Sequence, residues 1–427
     1  MLPNKHVFDK IDFNGGNLSS DGGAILLMEF IRKLKLANLL SDIPFRDHRR
    51  YAIHSNLSIL HQLIYRNLLG YHCQSDQKVL LQDSLLSQYV SACSQSSVSR
   101  LFDRISYATD ACFKEIITKQ ACQFVNKNIV DPILDADSTL VVTNGNQEGA
   151  AFIHHYAEVG YHPICINESR SKLLLSARLR TGSAYSSNGV IDELKNVLSF
   201  LDNNGNIRFR GDSAFYDTKL MNYLEENSIS YYIRAKNFSS LINTVTDDVM
   251  NIKKIKEYSY TYEHPFYGEI QYGISGKKSR RVAYKAYWCY DKNGQMNLLP
   301  CVYCVVTNNT DLSPKEVMNF YEARGASENF NKELKNDFHA GNLSHSEFNK
   351  NEFEFLISAF CYNLFHIYQM TVLQGEDQKI MMNTYRIRYQ KVAVKVINHA
   401  RQVVLSFSSA YKAKETFNGY LNTVLQI

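Results

Sequence analysis

Through residues 1–125 apolar positions recur at helical spacing. "SSDGGAILLMEFIRKLKLANLL" opens on Ser20 and Asp21 as cap residues and runs into an amphipathic helix, and "NLSILHQLIYRNLLGY" and "DQKVLLQDSLLSQYV" continue in the same style. From about residue 130 the rhythm is that of strands. "DPILDADSTLVVT", "YHPICIN" and "SKLLLSARLRTG" are three strand patterns in succession. They are followed by helix "GVIDELKNVLSFL", strand "NIRFRGDSAFY", helix "TKLMNYLEENS" and strand "SYYIRAK". Strands followed by alternating helices and strands predict a mixed α/β sheet with helices on its faces.

Residues 237–311 break that alternation. "YSYTYEHPFYGEIQYGI", "RRVAYKAYWCY" and "LPCVYCVVTN" are rich in Tyr, Val and turn residues, which predicts antiparallel strands inserted after the last core strand. "FNKNEFEFLISAFCYNLFHIYQM" (348–370) is a long apolar helix. No internal repeat or low-complexity segment is present.

Between these lies a polar helix, "YEARGASENFNKELKND" (321–337). At 100° per residue, Tyr321, Arg324, Glu328 and Lys335 fall within about 60° of arc over almost four turns. Glu322 and Glu333 point roughly 100–120° away. One face therefore carries Tyr, Arg, Glu and Lys in a line, with Glu328 its only carboxylate. A solvated helix laced with i,i+4 ion pairs has the same appearance, so this stretch gains meaning only from the rest of the chain.

Composition narrows the class. At 427 residues, 45% hydrophobic and 21% charged, the chain reads as an ordinary globular protein of two to three domains. No run of 18 apolar residues is present, and "MLPNKHVFDKIDF" lacks the apolar region of a signal peptide, which predicts a cytoplasmic, nucleoid-associated protein. Of nine cysteines only Cys301 and Cys304 form a C-x-x-C, with no second pair at zinc-ligand spacing; their β-branched setting predicts a buried strand with reduced thiols.

Net charge is +5, and residues 381–427 alone hold seven basic residues (Arg386, Arg388, Lys391, Lys395, Arg401, Lys412, Lys414) against one acid, Glu415. Read as a helix, this region places Arg388, Lys391, Lys395 and His399 on one face, with Val394, Ile397 and Val404 on the other. A basic face on a packed helix suits a phosphate backbone. "SQSSVSRLFDRI" (94–105) brings Ser97, Ser99, Arg100 and Arg104 to a short helix, a pattern open to a DNA contact or to plain capping.

Three acids stand out. Asp137 in "DADST" and Asp212 in "RGDSAF" sit at strand ends, where open α/β sheets build their sites, and Glu328 sits on the polar helix. Three converging carboxylates require a compensating charge, which a pair of Mg²⁺ ions supplies. Two such ions about 3.5–4 Å apart clamp the attacking and leaving oxygens of a phosphodiester displacement. Asp135 shares a strand face with Asp137 and is the alternative ligand; Asp137 is preferred because it lies nearer the strand end. A rival reading takes "DAD" as the D-x-D of a nucleotide-sugar transferase with Mn²⁺, but leaves the Tyr321–Lys335 face and the basic tail unexplained.

Tyr321, Arg324, Glu328 and Lys335 spell Y-x2-R-x3-E-x6-K, which resembles the signature of DDE transposases of bacterial insertion sequences. "LDADST" and "RGDSAF" look like the strand motifs of that group's two Asp residues, and "NLSSDGGAILLMEF" and "YNLFHIYQ" resemble one of its subgroups. The resemblance spans nearly the whole chain. It implies an RNase H-like mixed sheet flanked by helices, with a β-rich insertion, a helical N-terminal domain and a helical basic C-terminal region. The expected layout is a DNA-binding domain over 1–125, the core over 126–236 and 312–375, the insertion over 237–311, and the basic region over 376–427.

The resemblance further implies that Asp137, Asp212 and Glu328 are catalytic and hold two Mg²⁺, with Mn²⁺ able to substitute. The activity implied is cleavage of the element's ends and transfer of the freed 3′ strand to target DNA. Tyr321, Arg324 and Lys335 are then phosphate contacts, Arg388, Lys391 and Lys395 further DNA contacts, and the partners terminal inverted repeats, target DNA and a second copy in a homodimer or larger synaptic complex. The only Trp, Trp288, lies in the insertion; family members that form a hairpin use an aromatic to hold a flipped base, and a sheet-core Trp is the plainer reading. A relic that binds ends without cutting is the non-enzymatic alternative.

Overall fold

The computed structural model describes all residues except 1–9, 203–205, 252–259, 274–277, 291 and 401. Arg401 of the basic tail and most of the N-terminal stretch read for a leader lie outside the described residues. The chain divides into two compact units, Tyr107–Ile367 and a second formed by Met1–Ser106 with Tyr368–Ile427. In chain order the strands are β1 (Leu18–Ser19), β2 (Ile133–Ser138), β3 (Val141–Val142), β4 (Ala151–Ile153) and β5 (Glu158–Tyr161). Then come β6 (Ile164–Glu168), β7 (Leu174–Arg178), β8 (Arg208–Gly211), β9 (Ser230–Arg234) and β10 (Phe266–Tyr272). The last are β11 (Arg280–Tyr287), β12 (Cys301–Thr307), β13 (Val394–His399) and β14 (Gln402–Phe407).

Unit 107–367 is built on an eight-stranded mixed sheet ordered β10-β11-β12-β9-β8-β2-β6-β7. β2, β6 and β7 form an antiparallel meander, and β8 and β9 then add in parallel on the other side of β2. Both faces of the centre are buried: Leu134, Ala136, Ile166, Phe209 and Ile233 form an apolar layer on one, and Asp135, Asn167 and Arg210 lie on the other. Helices Tyr107–Asn128 and Val190–Leu198 pack on β7, and Pro314–Glu322 packs on β10 and β11. That last helix starts on a capping box in which Ser313 and Glu316 satisfy each other's backbone N–H groups.

The inserted strands are antiparallel, as the sequence predicts, but they extend the central sheet through β12 and β9 rather than forming a layer of their own. They are preceded by a helix, Ser239–Asn251, that the strand reading passed over; Leu241, Val245 and Val249 are its buried stripe. A further small sheet, β3-β5-β4, rises between β2 and β6. Gly160 is required there, because a Cβ would lie 2.2 Å from Val141 O.

The other unit holds helices Ile25–Lys33, Asn56–Leu68 and Gln95–Phe102, with a three-stranded sheet ordered β1-β13-β14. Two expectations are corrected here. The region expected as a basic C-terminal helix contains a β-hairpin, with Val394 paired to Phe407 and Lys395 to Ser406, before a closing helix, Lys414–Gln426. Val392, Val394 and Val396 are buried while Lys395 is exposed, a period of two. Arg388, Lys391, Lys395 and His399 therefore share no helical face.

Asp21 makes no side-chain cap. It is fully buried and paired with Lys391 Nζ at 2.6 Å. Gly23 beside it packs so closely on the Tyr385–Gln390 turn that a Cβ would sit 1.5 Å from Tyr389 O. Among the described residues no helix is long and apolar enough to cross a membrane.

Candidate active site

The parallel register of β2 and β8 sets up the site. Asp135 lies opposite Arg210 and Ala136 opposite Gly211. Continuing by one residue brings Asp137 alongside Asp212 at the C-terminal ends of the two central strands. The inner pair is neutralised. Arg210 donates to both Asp135 oxygens at 2.6 and 2.7 Å, and both side chains are almost fully buried. The outer pair opens into a polar cavity of about 450 Å³ lined by Asp137, Asp212 and Glu328. Asp212 also caps the short turn that follows it, accepting from Ala214 N at 2.8 Å.

The polar segment 321–337 forms the opposite wall. It is not one regular helix: Pro314–Glu322 passes through a 3₁₀ turn, Ala323–Ala326, into Ser327–Asp337. Arg324 is buried and donates to Asp137 Oδ1 at 3.0 Å and to Ala136 O at 3.2 Å. Asn331 donates to the other Asp137 oxygen at 2.7 Å. Lys335 donates to Thr139 Oγ1 at 2.9 Å, tying the helix to the end of β2. Glu328 is exposed in the cavity.

Of the four residues expected on one face, Arg324, Glu328 and Lys335 line this cavity. Tyr321 instead lines a neighbouring depression with Arg234, Lys285 and Tyr303. The tighter winding at Ala323–Ala326 separates it from the other three.

Burial pushes the Asp137 carboxyl above its ordinary value; Arg324 opposes that and Asp212 adds to it. Burial works against the charge on Arg324, but Asp137 and Asp212 outweigh it and raise its pKa. Burial lowers that of Lys335.

The donor set fits a hard divalent cation: Asp137, Asp212 and Glu328 offer oxygen ligands only, and the mutual repulsion of the two aspartates asks for positive charge. Arg324 supplies that charge here. Among the described residues no three His, Cys, Asp or Glu side chains are close enough together to hold a single ion as they stand.

Several lining residues were not assigned to the site from the sequence. His155 and Tyr156 reach the cavity from the β4–β5 turn, and Asn331 and Lys332 from the helix. Asn331 was legible in principle, three residues after Glu328 on the same face. His155 depends on the small sheet, whose two- to four-residue strands leave little pattern.

The remaining candidates lie elsewhere. Arg388 pairs with Asp377 at 3.1 Å. Lys391 is held by Asp21 and lies 4.0 Å from the Tyr71 ring centroid. Lys395 is exposed on β13. Trp288 is buried. Cys304 is buried and Cys301 partly exposed, both on β12.

The family described as "Transposase DDE domain group 1" matches residues 3–427. No curated protein matches the chain. Among solved structures, a piggyBac transposase synaptic complex with hairpin DNA, determined by cryo-EM, is similar at 15% identity and a TM-score of 0.45, covering 86% of this chain and 80% of that one.

Proposed function

The chain belongs to the DDE transposase domain family, group 1, and we propose that it cuts the ends of a bacterial insertion sequence and joins them to target DNA. The observation that carries this reading is the meeting of Asp137, Asp212 and Glu328 in one polar cavity, with Arg324 at its wall. Asp137, Asp212 and Glu328 would hold two divalent ions, Mg²⁺ or Mn²⁺ in its place. Bound there, such ions supply Lewis acidity to the attacking and leaving oxygens of a phosphodiester.

This chain's own groups do the rest. Arg324 and Asn331 fix the Asp137 carboxylate by holding one oxygen each. Lys335 anchors the helix that carries Glu328. Lys332 and His155 face the cavity and supply donors to a DNA phosphate. Tyr321 meets the strand from the adjoining depression, beside Arg234.

DNA ends would be gripped by the unit that holds both termini. Arg46, Arg49 and Arg50 are exposed in one loop, and Arg46 N donates to Arg104 O at 2.8 Å, which brings that loop to the helix carrying Ser99 and Arg100. Lys395 and the half-exposed Arg388 add further charge to this unit. We assign terminal-repeat binding to these groups, and a second copy to the synapsis of two ends.

The test uses linear DNA carrying the element's own ends, a target plasmid and Mg²⁺. Covalent joining of the 3′ ends to the plasmid is the expected product. End-specific binding with neither cutting nor joining would overturn the reading in favour of a binding relic, and a sugar-nucleotide complex with Mn²⁺ in place of DNA binding would favour the transferase.

A further inference from the structure

Two thiols meet where β11 runs out and β12 begins. Cys289 Sγ lies 2.9 Å from Cys301 Sγ, and both side chains are partly exposed. Cys301 stands opposite Tyr287 in the last pair of the β11–β12 ladder, and Cys289 follows Tyr287 by two residues. The connection folds back at this point: Asn297 N donates to Cys289 O at 2.9 Å, and Tyr290 bridges to Met296. Tyr290, Leu298 and Leu299, between the two cysteines, are exposed.

A disulfide requires sulfurs about 2.05 Å apart on backbones that already run side by side. Both conditions are nearly met, with less than about 1 Å of sulfur movement outstanding. Among the described residues no third His, Cys, Asp or Glu joins the pair to make a metal site.

We propose that Cys289 and Cys301 are a reversible thiol–disulfide pair that clamps the β11–β12 connection in the presence of a disulfide oxidant such as glutathione disulfide. Burial, and then the Cys289 sulfur, push the Cys301 thiol up to about 11, which disfavours Cys301 as the opening nucleophile; Cys289 would take that step. Its thiolate attacks one sulfur of glutathione disulfide and expels a glutathione thiolate. Cys301 then gives its proton to solvent and attacks Cys289 Sγ, expelling the second glutathione. Two protein thiols are oxidised and one glutathione disulfide is reduced to two thiols. The clamp would stiffen the strands that carry Lys285 and Tyr303, which line the depression beside Tyr321.

The experiment treats the full chain with glutathione disulfide, blocks remaining thiols by alkylation and maps the peptides. The expected result is a peptide cross-linked through Cys289 and Cys301, with loss of both alkylation sites and their return on reduction with dithiothreitol. Cys304→Ser closes in the same way, and Cys289→Ser leaves Cys301 alkylatable. Two results would overturn the proposal: both cysteines staying alkylatable while exposed Cys73 takes up glutathione, or Cys289 halting as the glutathione mixed disulfide. Because the wild-type chain gives the primary answer, a variant that fails to fold does not obscure it.

Discussion

Asp135 and Asp137 stand on the same face of one strand in contrasting surroundings, the first sealed in an ion pair and the second lining the cavity. Asp135 has its charge matched by Arg210 across the parallel ladder, and Ser169 Oγ and Phe320 O take further guanidinium donors. Removing one partner of such a buried pair leaves an uncompensated charge. Arg210→Met is therefore expected to cost roughly 3–5 kcal/mol in urea unfolding. Glu328→Gln, exposed in the cavity, is expected to stay within about 0.5 kcal/mol. A neutral Arg210→Met would show that the inner pair is not what holds the strand ends, and Asp135 would return as a candidate ligand. The sequence favoured Asp137 for its place nearer the strand end, but it could not show what holds Asp135. The deciding fact is that "DAD" lies beside "RGD" with Arg210 facing Asp135, and this register is a long-range property. The two motifs themselves were legible because each ends a run of apolar strand residues.

At the level of elements, the central strands were readable from β-branched and aromatic runs, and the Tyr321–Lys335 helix from its polar face. What failed has physical causes. The apolar positions Val394, Ile397 and Val404 fit a helical stripe. The true signal was the shorter alternation Val392, Val394, Val396, completed by β1 from the far end of the chain. The 3₁₀ turn at Ala323–Ala326 contains Gly325, which lacks any neighbour for a Cβ within 4 Å, so nothing in the local composition forces the change of winding. The helix Ser239–Asn251 has a clear i,i+4,i+8 apolar stripe and was masked by the Tyr-rich strands after it. The small sheet that delivers His155 and Tyr156 consists of strands of two to four residues, too short for any periodicity to register.

For the molecule as a whole, raised carboxyls are not confined to the cavity. Away from the cavity, Asp110 on the helix Tyr107–Asn128 is buried, and neither oxygen has a hydrogen-bond partner among the described residues. Burial, and then Glu352, push its carboxyl up to about 8. Burial likewise raises Glu352, against Lys114 and Arg178 and with Glu193. A carboxyl whose pKa is raised on folding keeps its proton in the fold while the unfolded chain has lost it. Stability from this group is thus fully present below about pH 4 and drains away as pH rises to about 8. Asp110→Asn removes that titration, so its gain in Tm over the parent is expected to grow between about pH 5 and pH 8 in thermal melts. A gain that is flat with pH would mean that Asp110 is ionised in the fold.

In the proposed function Asp137, Asp212 and Glu328 act together with divalent metal on DNA. The most direct measurement is cleavage of labelled DNA bearing the element's ends, with Mg²⁺, with Mn²⁺ and with chelator, by the parent chain and by Glu328→Gln. The expected result is cutting at the ends by the parent with either metal, none with chelator, and a loss of at least about 10³-fold in Glu328→Gln despite unchanged end binding and unfolding. Equal cutting by Glu328→Gln, or cutting that survives the chelator, would contradict it.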